Sequence, residues 1–107
     1  MQTPLYPGET LLISAPANLF RGIEGVSGRL HLTSLRVIFE VRSLSFQTQP
    51  EILSLEQIIE VSMGKTMGII PNALIIRTSG GNELRFITWR RKKLLPGLQS
   101  LCPWLKK

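Results

Sequence analysis

Apolar and polar side chains alternate along two consecutive runs in the N-terminal half of the chain. In Val26–Thr33, a valine, a glycine and two leucines fall on one side, and serine, arginine, histidine and threonine fall on the other. Leu35–Val41 alternates in the same way. A period of two residues is typical of a strand with one buried and one exposed face. The two runs therefore predict a β-hairpin that turns near Ser34.

Five further short runs have the length and apolar content of strands. They are Glu9–Ser14, Ile52–Leu55, Ile58–Met63, Asn72–Thr78 and Glu83–Thr88. Glycine, proline, serine and asparagine punctuate the segments between them, which predicts loops at 15–25, 42–50 and 64–71 and a turn at 79–82. Seven short strands joined in this way predict a mainly β protein, an antiparallel barrel or sandwich that is closed or nearly closed.

The pattern changes to helical spacing after the last predicted strand. Four leucines recur at intervals of four, three and four residues, which is one face of an α-helix. They are Leu94, Leu98, Leu101 and Leu105. Because proline is tolerated in the first helical turn and not in the interior, Pro96 and Pro103 limit the predicted helix to about 93–102. We expect this helix to cover an open end of the barrel, with Leu98 buried.

The predicted hairpin also carries a recognisable motif. Val26–Glu40 reads VSGRLHLTSLRVIFE, Pro7-Gly8-Glu9 precedes the first strand, and Leu55-Glu56-Gln57-Ile58 precedes a later one. These stretches resemble the GRAM domain, in which a GxLxLTxxRxxF core is followed by an LxxI element. The resemblance covers roughly residues 5–90, and the downstream PNALIIRTSGGNELRF agrees with it in type and place.

The GRAM resemblance implies both a fold and a class of function. The implied fold is a pleckstrin-homology-like, seven-stranded antiparallel barrel with one C-terminal helix, formed by residues 1–107 as a single domain with strands over about 9–88. The implied function is a non-catalytic module that binds membrane phosphoinositides or proteins. No enzyme chemistry and no cofactor are expected of such a module.

The charge of the chain is concentrated at its C-terminal end. The net charge is +6, yet residues 1–89 hold seven basic and seven acidic side chains, which cancel. Residues 90–107 hold six basic side chains and no acidic one. Such an excess can attract an anionic membrane face, an acidic protein or a phosphate-rich partner, and it is also compatible with a merely solvated helix end.

The antiparallel order predicts that the loop 64–70 and the start of the helix meet at one end of the barrel. We therefore predict a binding surface for an anionic lipid surface or an acidic protein partner, in which cations lie beside apolar and aromatic groups. Its predicted residues are Lys65, Met67, Trp89, Arg90, Arg91, Lys92 and Lys93. The three loops that usually hold a lipid headgroup in the resembled fold carry little positive charge, which argues against tight phosphoinositide binding there.

Other kinds of site find less support. His31 and Cys102 are the only histidine and the only cysteine, and no metal-ligand spacing or nucleophile–base arrangement stands out, so no metal and no small-molecule substrate are expected. His31 is predicted to be a surface residue. Arg36 is predicted to be structural, paired with Glu56 or Glu60. Nucleic-acid binding rests on charge alone and is the weakest alternative.

The expected location is the cytoplasm, peripheral to a membrane. The first residues lack the basic and long apolar stretches of a signal peptide. A single cysteine cannot form an internal disulfide, which suits a reducing compartment.

Overall fold

The computed structural model describes residues 1–21, 24–42, 50–66 and 69–105. They form seven strands and one helix: β1 (Leu11–Arg21), β2 (Glu24–Thr33), β3 (Arg36–Val41), β4 (Glu51–Ser54), β5 (Ile58–Thr66), β6 (Ile70–Thr78), β7 (Glu83–Ile87) and α1 (Arg91–Leu101). A short 3-10 turn, Leu55–Gln57, connects β4 to β5.

All strands pair antiparallel in one sheet with the order β4-β3-β2-β1-β7-β6-β5. The predicted mainly β fold with seven antiparallel strands and a C-terminal helix is therefore confirmed. The hydrogen-bonded ladder does not close between β4 and β5 in the described part of the chain, so the sheet is open. The predicted hairpin is also confirmed, with Leu30 opposite Phe39 and Leu32 opposite Val37.

The strands are longer than the sequence pattern predicts. Residues 15–21, predicted as a loop, belong to β1, which pairs with β2 from Leu11 to Arg21. Pro16 is accommodated because its carbonyl oxygen faces Thr88, which donates a hydroxyl hydrogen bond to it (3.0 Å). In an antiparallel ladder the N–H and C=O of one residue point to the same neighbour, so the missing donor of Pro16 faces β7 and leaves the β1–β2 ladder intact.

Much of the predicted loop 64–71 is also strand, since β5 runs to Thr66 and β6 begins at Ile70. Gly28 of β2 is required by close packing, because a Cβ at this position would collide with the carbonyl oxygen of Glu40 in β3. Gly81 in the β6–β7 turn has φ of 85°, a conformation that side chains disfavour. The predicted turn at 79–82 is thus present.

The inner face of the sheet and one face of α1 enclose the core. Phe39 and Phe86 lie at its centre with ring centroids 5.7 Å apart. Leu94 and Leu98 of α1 are 1% exposed, which confirms the burial predicted for Leu98. The helix begins at Arg91, earlier than predicted, so Pro96 lies inside it. The burial of the two leucines offsets the backbone hydrogen bond that Pro96 cannot donate.

Candidate functional site

The start of α1 is held against the edge strand β5 by one arginine. The Arg91 guanidinium donates a hydrogen bond to the carbonyl oxygen of Gly64 (2.8 Å) and a longer one to that of Ala73 (3.4 Å). Gly64 is followed directly by Lys65, so the contact places Lys65 beside the first turn of the helix. Arg91 itself is half-buried. It therefore acts as an anchor for the surface rather than as one of its free charges.

The link between β7 and α1 is fixed by a buried threonine. The Thr88 hydroxyl donates to the carbonyl of Pro16 and accepts a hydrogen bond from the backbone N–H of Arg90 (3.2 Å). Thr88 is 2% exposed, whereas Trp89, the next residue, is 76% exposed. The threonine thus holds the backbone while the indole of Trp89 projects into solvent.

We define the basic patch as Lys65, Arg90, Lys92 and Lys93. All four are exposed, and within the described residues none of them forms an ion pair. Arg90 is the N-cap residue and the two lysines lie in the first turn of α1, which contains no acidic residue. The structure therefore brings together the predicted cations at the helix start, with Lys65 beside them. Met67, also predicted for this surface, lies outside the described residues.

Exposed apolar side chains border the basic patch. Ile69, just before β6, is 77% exposed, and Ile70 and Met63 are 38% and 45% exposed. Thr66 pairs with Ile70 in the ladder, so this apolar group lies at the same end of β5 as Lys65. Ile69 is therefore not tucked beneath the sheet, and it is exposed at the same end of β5 as Lys65.

Arg36 is structural, as predicted, but the predicted partners Glu56 and Glu60 are wrong. Its guanidinium forms two hydrogen bonds with the carboxylate of Glu9, 2.8 Å from Nε and 2.7 Å from Nη2. The Arg36 side chain is 5% exposed and that of Glu9 is fully buried. Glu60 instead contacts Arg77 at the surface. A buried arginine needs a carboxylate on the same side of the sheet, and the segment before β1 supplies it.

The Glu9–Arg36 pair is surrounded by further contacts. Hydrogen bonds from Arg36 hold the pKa of Glu9 at about 2, against an ordinary value of 4.5, although burial of the carboxylate opposes this shift. Thr33 also donates to Glu9, and the Arg36 guanidinium lies 4.1 Å from the centroid of the Tyr6 ring. The N-terminal lead-in is thereby tied to the β2–β3 turn.

His31 is not the surface residue that the alternation predicts, because it is 3% exposed. It lies on the outer face of the sheet, with Ser14 Oγ 2.6 Å from Nδ1 and Glu40 Oε1 3.1 Å from Nε2. The residues at the N-terminus cover it: Glu40 accepts hydrogen bonds from the backbone N–H and the hydroxyl of Thr3, both at 2.6 Å. His31 therefore lies on the face that the alternation predicts, but this face is not exposed to solvent at that position.

The protonation states of this network follow from its surroundings. Burial lowers the pKa of His31, and the nearby Arg29 and N-terminal ammonium act in the same direction against the opposing effect of Glu40. Burial alone would raise the pKa of Glu40, but the hydrogen bonds from Thr3 bring it below its usual value. A neutral imidazole donating from Nε2 to the carboxylate and accepting from the Ser14 hydroxyl satisfies all three groups.

Within the described ranges, no three histidine, cysteine, aspartate or glutamate side chains are grouped as metal ligands would be. Among the same residues, no helix is long and apolar enough to span a membrane.

Solved structures with the same fold are known, at low sequence identity. The C-terminal domain of an unknown protein from Leishmania infantum has a TM-score of 0.78 at 19% identity, covering 91% of this chain and 87% of that one. The Vps36 N-terminal PH domain has a TM-score of 0.65 at 19% identity, covering 94% and 82%. The Slm1-PH domain in complex with inositol-4-phosphate has a TM-score of 0.63 at 11% identity, covering 91% and 98%.

These likenesses show that the chain has the fold of pleckstrin-homology (PH) domains. A search of curated protein sequences finds no significant match. The family model described as the GRAM domain matches residues 1–93, which is most of the chain and includes the hairpin motif, the Glu9–Arg36 pair and the start of α1. The chain therefore belongs to the GRAM domain family.

Proposed function

We propose that this domain is a non-catalytic binding module that contacts an anionic membrane surface through the basic patch. One observation carries the proposal: exposed cations without carboxylate partners in the described structure stand beside exposed apolar side chains at one end of the sheet. An anionic lipid surface satisfies both kinds of group at once, since phosphates attract the cations and the interface accepts the apolar side chains.

The position of the cations in α1 supports a partner with negative charge. Arg90 is the N-cap residue, and Lys92 and Lys93 lie in the first turn, where the helix dipole is positive. Each cation there is unfavourable by about 0.3–1 kcal/mol at low ionic strength. An anionic surface placed against this end would remove that repulsion and add about 1 kcal/mol for each cation near it.

Exposed apolar side chains add a second component to the same contact. Ile69 and Trp89 are both more than three-quarters exposed, an unfavourable state for large apolar side chains in water. Trp89 is held in this position by Thr88, whose backbone and side chain are fixed. Tryptophan is favoured at the boundary between lipid headgroups and water because its ring is apolar and its N–H is polar.

Among anionic lipids, we expect a phosphoinositide to bind most strongly. The Slm1-PH domain, which has the same fold, was solved in complex with inositol-4-phosphate. A phosphorylated headgroup carries more negative charge than phosphatidylserine and would occupy more of the cations of the patch. We therefore expect stronger binding to vesicles that contain a phosphoinositide.

Vesicle co-sedimentation tests the proposal. Wild-type protein is mixed with neutral phosphatidylcholine vesicles, with vesicles containing about 20% phosphatidylserine, and with the latter plus a phosphoinositide. We expect binding to the anionic vesicles only, with a several-fold loss when salt rises from about 50 mM to about 300 mM. Replacing Arg90, Lys92 and Lys93 by glutamine should abolish it, and Ile69→Ala should weaken it.

Arg77→Gln is the matched control for Lys92→Gln. Both remove one exposed cation, but Arg77 lies on the outer face of β6 and contacts Glu60. Loss of binding that is equal in the two variants would show a dependence on net charge alone. If no anionic vesicle binds the wild type, the membrane proposal fails. Direct binding of a purified acidic protein through the same patch would then replace it.

A further inference from the structure

A wide cleft of about 1160 Å³ lies on the outer face of β1, β2 and β3, away from the leucine stripe of α1. The N-terminal residues Met1–Thr3 border it on one side and Trp89 on another. It opens beside Pro16, where the β1–β7 ladder has ended, since the paired residues of these strands run only from Asn18 to Phe20. Cavities that hold small ligands have comparable or smaller volumes.

The cleft contains an arginine whose natural partner is occupied by another segment. Arg29 stands directly opposite Glu40 in the β2–β3 ladder, a position in which opposite charges usually pair. Instead, both oxygens of Glu40 are used by Gln2, Thr3 and His31. Arg29 is exposed and forms no ion pair within the described residues. The N-terminal segment thus leaves a guanidinium without its cross-strand carboxylate.

A second arginine lies diagonally across the same pair of strands. The backbone N–H of Arg42 donates to the carbonyl of Ser27 (3.0 Å), so Arg42 is one diagonal step from Arg29. Diagonal neighbours in such a ladder are about 7–8 Å apart, a separation that two guanidinium groups can span around one tetrahedral anion. Arg42 is exposed and also lines the cleft.

We infer that this cleft binds a small phosphate monoester, with the phosphate between Arg29 and Arg42. A planar guanidinium matches phosphate oxygens in pairs, and a monoester presents three of them, enough for both arginines. Ser14, Asn18 and Ser27 supply neutral hydrogen-bonding groups for a hydroxylated body, and the exposed ring of Trp89 supplies a flat apolar wall. The ligand is bound and not converted.

This inference does not rest on the membrane contact. Arg29 lies on β2 and Arg42 directly follows β3, whereas the basic patch lies on β5 and at the start of α1. A phosphate monoester can come from a soluble metabolite or from a lipid headgroup, and the experiment must separate the two sources.

His31 provides an internal reporter for the cleft. It is the only histidine of the chain and lines the cleft, so its ring signals can be followed by proton NMR without further assignment. Wild-type protein is titrated with inorganic phosphate and with glycerol 3-phosphate at constant pH and ionic strength. We expect saturable shifts of the His31 ring signals. The pKa of His31 should also rise, because an added anion counteracts the nearby Arg29.

Arg29→Gln and Arg42→Gln should each weaken binding of glycerol 3-phosphate about tenfold, as expected for one charge-assisted contact. Arg77→Gln, on the outer face but outside the cleft, and Lys92→Gln, in the basic patch, should leave it unchanged. Thermal unfolding of all four variants checks that each is folded. Shifts that persist in both cleft variants, or a loss of the shifts that is equally large in Arg77→Gln, would overturn the inference.

Vesicle binding distinguishes a lipid headgroup from a soluble metabolite as the source of the phosphate monoester. Vesicles containing phosphatidic acid present a phosphate monoester, whereas phosphatidylserine vesicles of equal charge do not. Loss of the preference for phosphatidic acid in Arg29→Gln would support the headgroup source, and saturable glycerol 3-phosphate binding would support the soluble one. If neither probe gives an Arg29-dependent response, the inference is wrong, whatever the basic patch does.

The role of the N-terminal segment can be tested in the same assay. Thr3→Val keeps the shape of the side chain but removes a hydroxyl that donates to Glu40. Glu40 should then turn in part toward Arg29, and glycerol 3-phosphate binding should weaken several-fold. Unchanged binding in Thr3→Val would contradict the claim that this segment leaves Arg29 unpaired.

Discussion

The buried Arg36 and the exposed basic patch place positive charge in opposite environments. Arg36 is buried and meets the carboxylate of Glu9 at 2.7 Å, whereas the basic patch is exposed and, in the described structure, lacks carboxylate partners. A guanidinium inside the protein is stable only with its countercharge, because the interior does not solvate it. The cations of the patch keep their hydration and remain available. The comparison separates charge that holds the fold together from charge that a partner can use.

The sharpest test is the same substitution in both groups. Arg36→Met leaves the buried carboxylate of Glu9 without a countercharge, which should cost about 3–5 kcal/mol of unfolding free energy. Arg90→Met, at the exposed N-cap of α1, should change it by less than about 0.5 kcal/mol. Urea unfolding at neutral pH measures both. Equal costs would show that burial does not distinguish the two groups.

A second test removes the support of the patch without touching its charges. Leu98 of α1 is 1% exposed and packs into the core, so Leu98→Ala should cost about 2–5 kcal/mol. Ser100→Ala, on the exposed side of the same helix, is the control and should have little effect. A loss below about 0.5 kcal/mol in denaturant unfolding would show that the helix does not dock.

Acid should affect the buried pair and leave the patch charged. Because the pKa of Glu9 is about 2 in the folded state and near 4.5 otherwise, its contribution is complete above pH 4.5 and is lost as the pH falls toward 2. The contribution amounts to about 3 kcal/mol. Urea unfolding between about pH 6 and about pH 2 should show this loss, to which Glu40 adds in the same direction. Glu9→Gln should make the dependence shallower, and an unchanged slope would contradict the assignment.

The smallest expected effect is a gain in stability, whereas Arg36→Met, Leu98→Ala and acid all reduce it. Lys92→Gln with Lys93→Gln removes two cations from the positive end of the helix dipole, so unfolding free energy should rise by about 0.3–1 kcal/mol at low salt. The gain should disappear at high salt, because the effect is electrostatic. A measurable destabilisation would show that these lysines serve the fold, and the contrast with Arg36 would fail.

The pairing of charges shows how far sequence reasoning reaches. That Arg36 needs a carboxylate follows from its place in a strand pattern, but the partner lies 27 residues away in the segment before β1. The two residues meet because the turn between Tyr6 and Glu9 lies beside the β2–β3 turn. The backbone N–H of Thr10 donates a hydrogen bond to the hydroxyl of Ser34, which holds the two turns together. No local periodicity reports such a contact. The only sequence feature that marks this segment is the Pro7-Gly8-Glu9 triplet, which is part of the resemblance to the GRAM domain.

The two faces of the sheet teach a related lesson. The alternation in β2 correctly divides Leu30 and Leu32 from His31, because side chains of a strand alternate whatever surrounds them. It does not say what covers each face. The N-terminal residues pack over His31 through Glu40, and Pro16 continues a strand because its missing donor faces β7. Both outcomes depend on neighbours that are distant in sequence.

The sequence by itself determined the hairpin, the seven antiparallel strands, the leucine face of α1 and the excess of charge after residue 89. These features are local, because periodicity, turn residues and composition act over a few positions. Tertiary structure alone decided which charges are paired, which polar face is covered and that Arg91 anchors the patch to β5. The reason is physical: the free energy of a charge depends on its solvation and its neighbours, and both are set only when the chain has packed.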